Sequence, residues 1–188
     1  FYMKKKIFLI RHGQSEANIA TDLDNPNFYY DAPLTLVGKQ QAIDVGIKLK
    51  DINFDLFICS PLTRTLQTFS LIFPNKISES IVLPLIREHL DNSSEVGRQP
   101  NILQNEFADF DFSLIKKFWW NNNVPIDEKV INRESIANLD LRVLEFKKFI
   151  VSRKENTIAV VSHGTFISRI IGFLIGNCEF EIWYPDNG

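Results

Sequence analysis

Lys6-Ile7-Phe8-Leu9-Ile10-Arg11-His12-Gly13-Gln14-Ser15-Glu16-Ala17-Asn18 is the stretch whose reading decides the fold. Its first half is an apolar run of strand length bounded by charge, which reads as a buried strand. Its second half sets a charged pair, Arg11-His12, on the carboxyl end of that strand, and Gly13 follows at once. In open α/β sheets that edge is where ligands bind; the plain alternative is an ordinary turn. Of the three histidines, His12 and His163 share one setting, since Val160-Val161-Ser162-His163-Gly164 is again an apolar run followed by His-Gly. A buried imidazole needs partners for its nitrogens. Two of them at matching strand ends suggest a working pair.

Outward from this stretch, strands and helices alternate. Gln14 to Ala20 has the character of a helix start, and Thr21 to Pro33 reads as a polar and aromatic loop. Thr35 is a candidate N-cap for a helix reaching about Leu49, with Ala42 and Gly46 as a small-residue stripe for close packing on a sheet. Leu56-Phe57-Ile58-Cys59 is a second strand, Pro61 suits the first turn of a helix continuing from Thr63 to Phe73, and Ile81-Val82-Leu83 is a short third strand. Between Arg87 and Val130 lies a mixed region rich in aromatic residues, among them Phe107, Phe110, Phe112, Phe118, Trp119 and Trp120. Ser135 caps a helix whose apolar face is Ile136, Leu139, Val143, Phe146 and Ile150. Thr157 to Val161 is the fourth strand and Thr165 to Leu174 a final helix. Alternation of this kind predicts a three-layer α/β/α sandwich with a mostly parallel sheet.

The 188 residues suit one domain over 1–188, with an inserted aromatic-rich lid or wall at about 88–134; a partner surface is the alternative for the aromatic stretch. A net charge of −2 does not favour nucleic acid or an anionic membrane as partner. No apolar run approaches the roughly 18 residues of a membrane helix. Two cysteines make no disulfide framework, so the expected location is the cytoplasm. Oligomeric state is not legible.

A neutral imidazole is a competent nucleophile near pH 7. Phosphoryl transfer then asks mostly for positioning and for cations around the equatorial oxygens. Arginine supplies these bidentately, and Arg11 and Arg64 stand at strand-end positions. His163 is a further donor, and Asn18 an amide donor one turn into the first helix. With cationic side chains carrying the positive charge, no metal and no cofactor is expected. Cys59 to Arg64 mimics a cysteine-phosphatase loop with one residue too few, and no dinucleotide or serine-hydrolase motif is present.

With Ser60-Pro61-Leu62-Thr63-Arg64 added to the two His-Gly motifs, the chain resembles the histidine phosphatase superfamily, the phosphoglycerate mutase-like family, from about Lys6 to its last residues. Arg87-Glu88-His89, Glu95-Val96-Gly97, Trp119-Trp120, Glu134-Ser135 and Asn177-Cys178-Glu179 resemble its short, eukaryotic-type phosphatase branch; Arg98-Gln99-Pro100 departs from it. The resemblance implies that His12 is the phosphorylated nucleophile and His163 a second catalytic histidine. It implies that Arg11, Arg64, Asn18 and Gly164 bind phosphate, and that Glu88, after the third strand, donates the proton, with Asp91 or Glu95 as substitutes. The expected activity is a metal-independent phosphomonoesterase acting on small phosphorylated metabolites. A mutase returning the phosphate to a second hydroxyl, and a phosphate-binding scaffold without turnover, are the other two readings.

Overall fold

The computed structural model describes residues 4–20, 30–122 and 131–185. Among these residues five strands form one sheet: β1 (Lys6–Arg11), β2 (Leu56–Cys59), β3 (Ile81–Val82), β4 (Thr157–Ser162) and β5 (Phe180–Trp183), in the order β3-β2-β4-β1-β5. The first four are parallel, and β5 closes the β1 edge antiparallel. Six helices accompany them: α1 (Glu16–Ile19), α2 (Leu36–Leu49), α3 (Thr63–Ile72), α4 (Pro100–Glu106), α5 (Ile136–Ser152) and α6 (Gly164–Ile171).

The apolar runs of the parallel strands are continuous because both of their faces are covered. Phe8, Ile10, Phe57, Cys59, Ala159 and Val161 belong to one core with Val45 of α2 and Leu66 and Phe69 of α3. Ile7, Leu9, Leu56, Ile58, Ile158 and Val160 belong to a second core with Leu139, Val143, Phe146 and Ile150 of α5 and Phe166 and Ile167 of α6. Successive side chains of a strand point to opposite faces, so each strand feeds both cores and the three layers follow.

Particular expectations are met or revised. Thr35 caps α2, its hydroxyl accepting from Gly38 N–H, and Ser135 caps α5 in the same way from Asn138 N–H. Pro61 stands one residue ahead of the Leu62 N-cap of α3, not in its first turn. The α5 stripe is buried from Leu139 onward, whereas Ile136 is half exposed. The final helix stops at Ile171, because Gly172 takes a left-handed conformation (φ 92°) and its N–H returns to Ser168 O. Gly46 faces α3 and not the sheet: a Cβ there would lie 3.2 Å from Ile72 O. β5, Phe180-Glu181-Ile182-Trp183, is an edge strand without a clean alternation, its two middle residues both exposed, and no strand is predicted there from the sequence. The loop expected over Thr21 to Pro33 and the lid region both run partly outside the described residues. Of the aromatic stretch, Phe110, Phe112, Trp119 and Trp120 are buried in the α3-side core as a packed wall.

The loop after β1 is pressed onto the start of α2 through two glycines. A Cβ on Gly13 would lie 2.4 Å from Gly38 O, and one on Gly38 would lie 2.0 Å from Gln14 O. Gly38→Ala should therefore destabilise the protein by about 1–3 kcal/mol, the usual cost of overpacking. The check is the urea midpoint at unchanged m-value.

Candidate active site

The β1–β4 register pairs Arg11 with Ser162, so the residues that follow, His12 and His163, leave the sheet side by side. His12 N–H donates to Ser162 O (3.0 Å), and Ser60 N–H donates to Val161 O (3.1 Å), bringing the loop after β2 to the same level. α3 then carries Arg64 in its first turn. The two imidazole rings meet edge to face with centroids 5.2 Å apart.

His12 is buried, and its Nδ1 lies 2.7 Å from Gly13 O. A carbonyl can only accept, so the ring proton sits on Nδ1 and Nε2 keeps its lone pair. Arg64 Nε–H points at that lone pair from 3.3 Å, while Arg64 Nη1 donates to Ser94 O (2.7 Å). Burial first, and the charge of Arg64 next, hold the His12 imidazole well below its ordinary pKa of 6.5. The His12 ring is thus neutral in mildly acidic solution as well as at neutrality. His163 is wholly buried and held low by the same two causes. Its Nε2 lies 2.8 Å from Ser60 Oγ; with that hydroxyl donating, Nδ1 carries the proton. Among the described residues Nδ1 has no partner, and neither have Arg11 Nε and Ser93 Oγ.

Arg11 reaches across Gly164, where a Cβ would lie 3.1 Å from its Cζ, and Nη1 donates to Ile175 O (2.7 Å). The glycine of the second His-Gly motif is therefore the space the first motif's arginine occupies. Asn18 Oδ1 accepts from Ser15 N–H and Ser15 Oγ in the cap of α1, and from Asn177 Nδ2 (3.1 Å), which also donates to His12 O. Asn18 is exposed at the rim beside the nucleophile loop.

The carboxyl groups part company. Glu88 lies against the start of α6: Oε2 accepts from Thr165 N–H (3.1 Å) and Oε1 from Phe166 N–H (3.2 Å) and His89 N–H (2.8 Å). That leaves one lone pair of Oε2 for a proton. Glu95 is buried, with Oε1 2.5 Å from Ser94 Oγ and 3.5 Å from Arg64 Nη2. Burial pushes its carboxyl up, an effect the nearby Arg64 only partly offsets. Asp91 is exposed beside Arg133 (3.5 Å) and is not brought into the site.

Several residues here were given no role from the sequence. Ser60 pairs with His163, Ser162 Oγ donates to Ile86 O (2.8 Å), and Asn177 bridges His12 to Asn18. Asp31 accepts from Thr63 N–H (2.7 Å) and from Arg98 Nε (2.9 Å), and so ties the start of α3 to the segment after Glu95. Arg142 lies buried within the apolar stripe of α5, paired with Glu134. A charge inside a hydrophobic stripe was the one legible sign of it.

Two imidazoles and two guanidiniums gather at the carboxyl edge of a mostly parallel, three-layer sheet, an arrangement suited to an oxyanion. The chain belongs to the histidine phosphatase superfamily (branch 1), whose family model matches residues 7–185. Among curated relatives, the adenosylcobalamin/alpha-ribazole phosphatase of Escherichia coli (strain K12) is 25% identical, the match covering 95% of this chain and 83% of that protein. Phosphoglycerate mutase-like protein 1 of Arabidopsis thaliana is 28% identical over 95% of this chain and 74% of its own. The alpha-ribazole phosphatase structure from Shigella flexneri has the same fold, with a TM-score of 0.63 at 24% identity over 94% of this chain and 89% of that one. So has the phosphoserine phosphatase of Entamoeba histolytica, with a TM-score of 0.55 at 23% identity and the same coverages.

The depressed imidazoles set a pH dependence of stability. Between the folded and unfolded pKa values the unfolded chain binds more protons, so stability is complete above about pH 6.5 and falls as the pH drops below it. His12→Asn should shrink the stability lost between about pH 7.5 and pH 5.5 by about 1 kcal/mol. Urea unfolding of the two proteins at both pH values checks this.

Proposed function

We propose that the protein is a metal-independent phosphomonoesterase that works through a phosphohistidine on His12. The observation that carries the reading is the state of that ring: neutral, its Nδ1 proton fixed on Gly13 O, its Nε2 lone pair facing Arg64. Nε2 attacks phosphorus, the bond from phosphorus to the ester oxygen breaks, and Glu88 protonates the departing alkoxide. Arg11, Arg64 and His163 Nδ1–H take the phosphoryl oxygens, with Arg64 Nε turning from His12 to one of them as substrate enters. Water then attacks phosphorus as Glu88 takes its proton, the P–N bond breaks with its electron pair returning to Nε2, and inorganic phosphate leaves with His12 restored. These cations stand where a metal would otherwise neutralise charge. The substrate is a small phosphorylated metabolite, in line with the phosphatase names borne by relatives. A mutase differs only in the second step, where an acceptor hydroxyl replaces water; the Arabidopsis thaliana relative's name is the support for it.

Rapid quench with a ³²P-labelled phosphomonoester, in buffer containing a chelator, tests the mechanism. Acid-labile label should appear on the wild type and be chased to inorganic phosphate by water alone, and His12→Ala should give neither label nor turnover. Turnover retained by that variant would sink the mechanism, and label returning only to an acceptor hydroxyl would establish the mutase.

The leaving group isolates the acid. An alkyl ester expels a poor alkoxide that needs its proton as the bond breaks, whereas nitrophenolate needs little help. Glu88→Gln should slow an alkyl phosphate by about 10²–10⁴-fold, the usual share of general acid catalysis, and an aryl ester much less. Equal losses would deny Glu88 the role and make Glu95, whose carboxyl burial pushes up, the next carboxyl to put through the same comparison.

A further inference from the structure

The segment that carries Glu88 has an unusual backbone. β3 ends at Val82, and Leu83 N–H makes the last bond to β2, at Cys59 O. Beyond it the chain is inside the protein with no strand beside it, yet buried carbonyls must be paired. Side chains pair them. Pro84 O accepts from Arg87 Nη1 (3.2 Å), and Ile86 O from Ser162 Oγ (2.8 Å). Leu85 O (2.7 Å) and Arg87 O (3.1 Å) accept from Arg142 Nη1, and Glu88 O (3.4 Å) from Arg142 Nη2. Pro84 O also takes the backbone N–H of Arg87 (3.1 Å); the next four carbonyls, Leu85 to Glu88, are held by side chains, three of them by one guanidinium.

The fork of Arg142 has its remaining donors on Glu134: Nε to Oε1 and Nη2 to Oε2, both at 2.6 Å. All five N–H groups of the guanidinium are then in use. Both side chains of the pair are buried, so the interaction is desolvated and its geometry fixed. Glu134 is itself fixed, its N–H on Leu90 O (2.8 Å) and its carbonyl 2.7 Å from His89 Nε2. Arg87 stands 3.5 Å from the same carboxylate and anchors to Trp120 O and Asn122 Oδ1. The plane of Arg142 lies 5.6 Å from the ring of Phe166, the residue whose N–H holds Glu88 Oε1. Both ends of Glu88, backbone and carboxyl, therefore refer to Arg142.

We infer that Arg142, oriented by Glu134, is the positioning residue that sets the Glu88 carboxyl at the leaving-group oxygen. The inference rests on the proposed function and assigns the placement of the acid to one buried ion pair, more than forty residues along the chain from Glu88. The phosphate pocket draws Arg11 and His12 from the end of β1, Arg64 from α3 and His163 from the N-cap of α6, and shares with Glu88 only the first turn of α6. Loss of Arg142 should thus disturb protonation and spare attack.

The experiment compares alkyl and aryl phosphates on R142M/E134Q, which removes both charges and leaves no carboxylate buried alone, and on R142K, which keeps the charge but has three donors in place of five. Both are set against E88Q and combined with it. The positioning role predicts a loss of about 10²-fold on the alkyl ester, the scale of a 1 Å misplacement, and a much smaller loss on the aryl ester. It also predicts an undiminished yield of phosphohistidine from the aryl ester and no further alkyl loss when E88Q is added. Equal losses on the two esters, an alkyl rate equal to that of the wild type, or full additivity with E88Q would each overturn it. An E88Q enzyme without leaving-group selectivity would overturn it too, there being no acid at that position to place. Failure of the proposed function looks different: the wild type itself then forms no label on His12.

Discussion

The parallel pairing of β1 with β4, register-locked so that Arg11 faces Ser162, is the constraint on which the rest of this molecule depends. It brings two histidines, remote in sequence, to one edge of the sheet at one height, and backbone bonds from His12 to Ser162 O and from Ser60 to Val161 O bring a third loop to that level. A slip of one residue would turn every strand side chain to the opposite core. Since each face already has its own buried cluster, that slip is strongly disfavoured. The strands that carry the site are therefore tied into both cores.

Chemistry follows from burial at that edge. An imidazole out of water and beside a guanidinium is poor at holding a second proton, the condition the proposed attack by His12 needs. The pocket has potential to spare: Arg11 Nε and His163 Nδ1 have no partner among the described residues, as fits donors reserved for an oxyanion. Glycine supplies clearance rather than flexibility. Gly164 leaves room for the Arg11 guanidinium, and Gly13 and Gly38 let the nucleophile loop touch α2.

Around this centre the segment from Pro84 to Glu88 is of a different kind, unsupported by the sheet and fixed by side chains from α5 and β4. Buried ion pairs contribute little net stability against an apolar alternative. A guanidinium gathering three carbonyls and a carboxylate does supply a defined geometry, which the proposed role of Glu88 requires. The aromatic wall of Phe110, Phe112, Trp119 and Trp120 belongs to the same economy of placement, with Trp119 lying over Gly97 and donating to Arg98 O (2.9 Å).

Much of this was legible in the residues themselves. Continuous apolar runs ending in Arg-His-Gly and Ser-His-Gly declare parallel strands with functional ends, because local hydrophobic pattern and abrupt polarity are properties of adjacent residues. Thr35 and Ser135 declare their caps for the same local reason. What the sequence did not carry is anything that depends on distant segments meeting. β5 is a short, half-exposed edge strand whose state is decided by the neighbour it finds in β1. Asp91 and Glu88 are three residues apart, yet one is at the surface and the other at the start of α6. Arg142 has no partner legible in its own helix; folding sets it against the carbonyls of Leu85 to Glu88, three of which it takes. Hydrogen bonding of buried backbone is settled only when all the layers are in place, and there the tertiary structure alone decided.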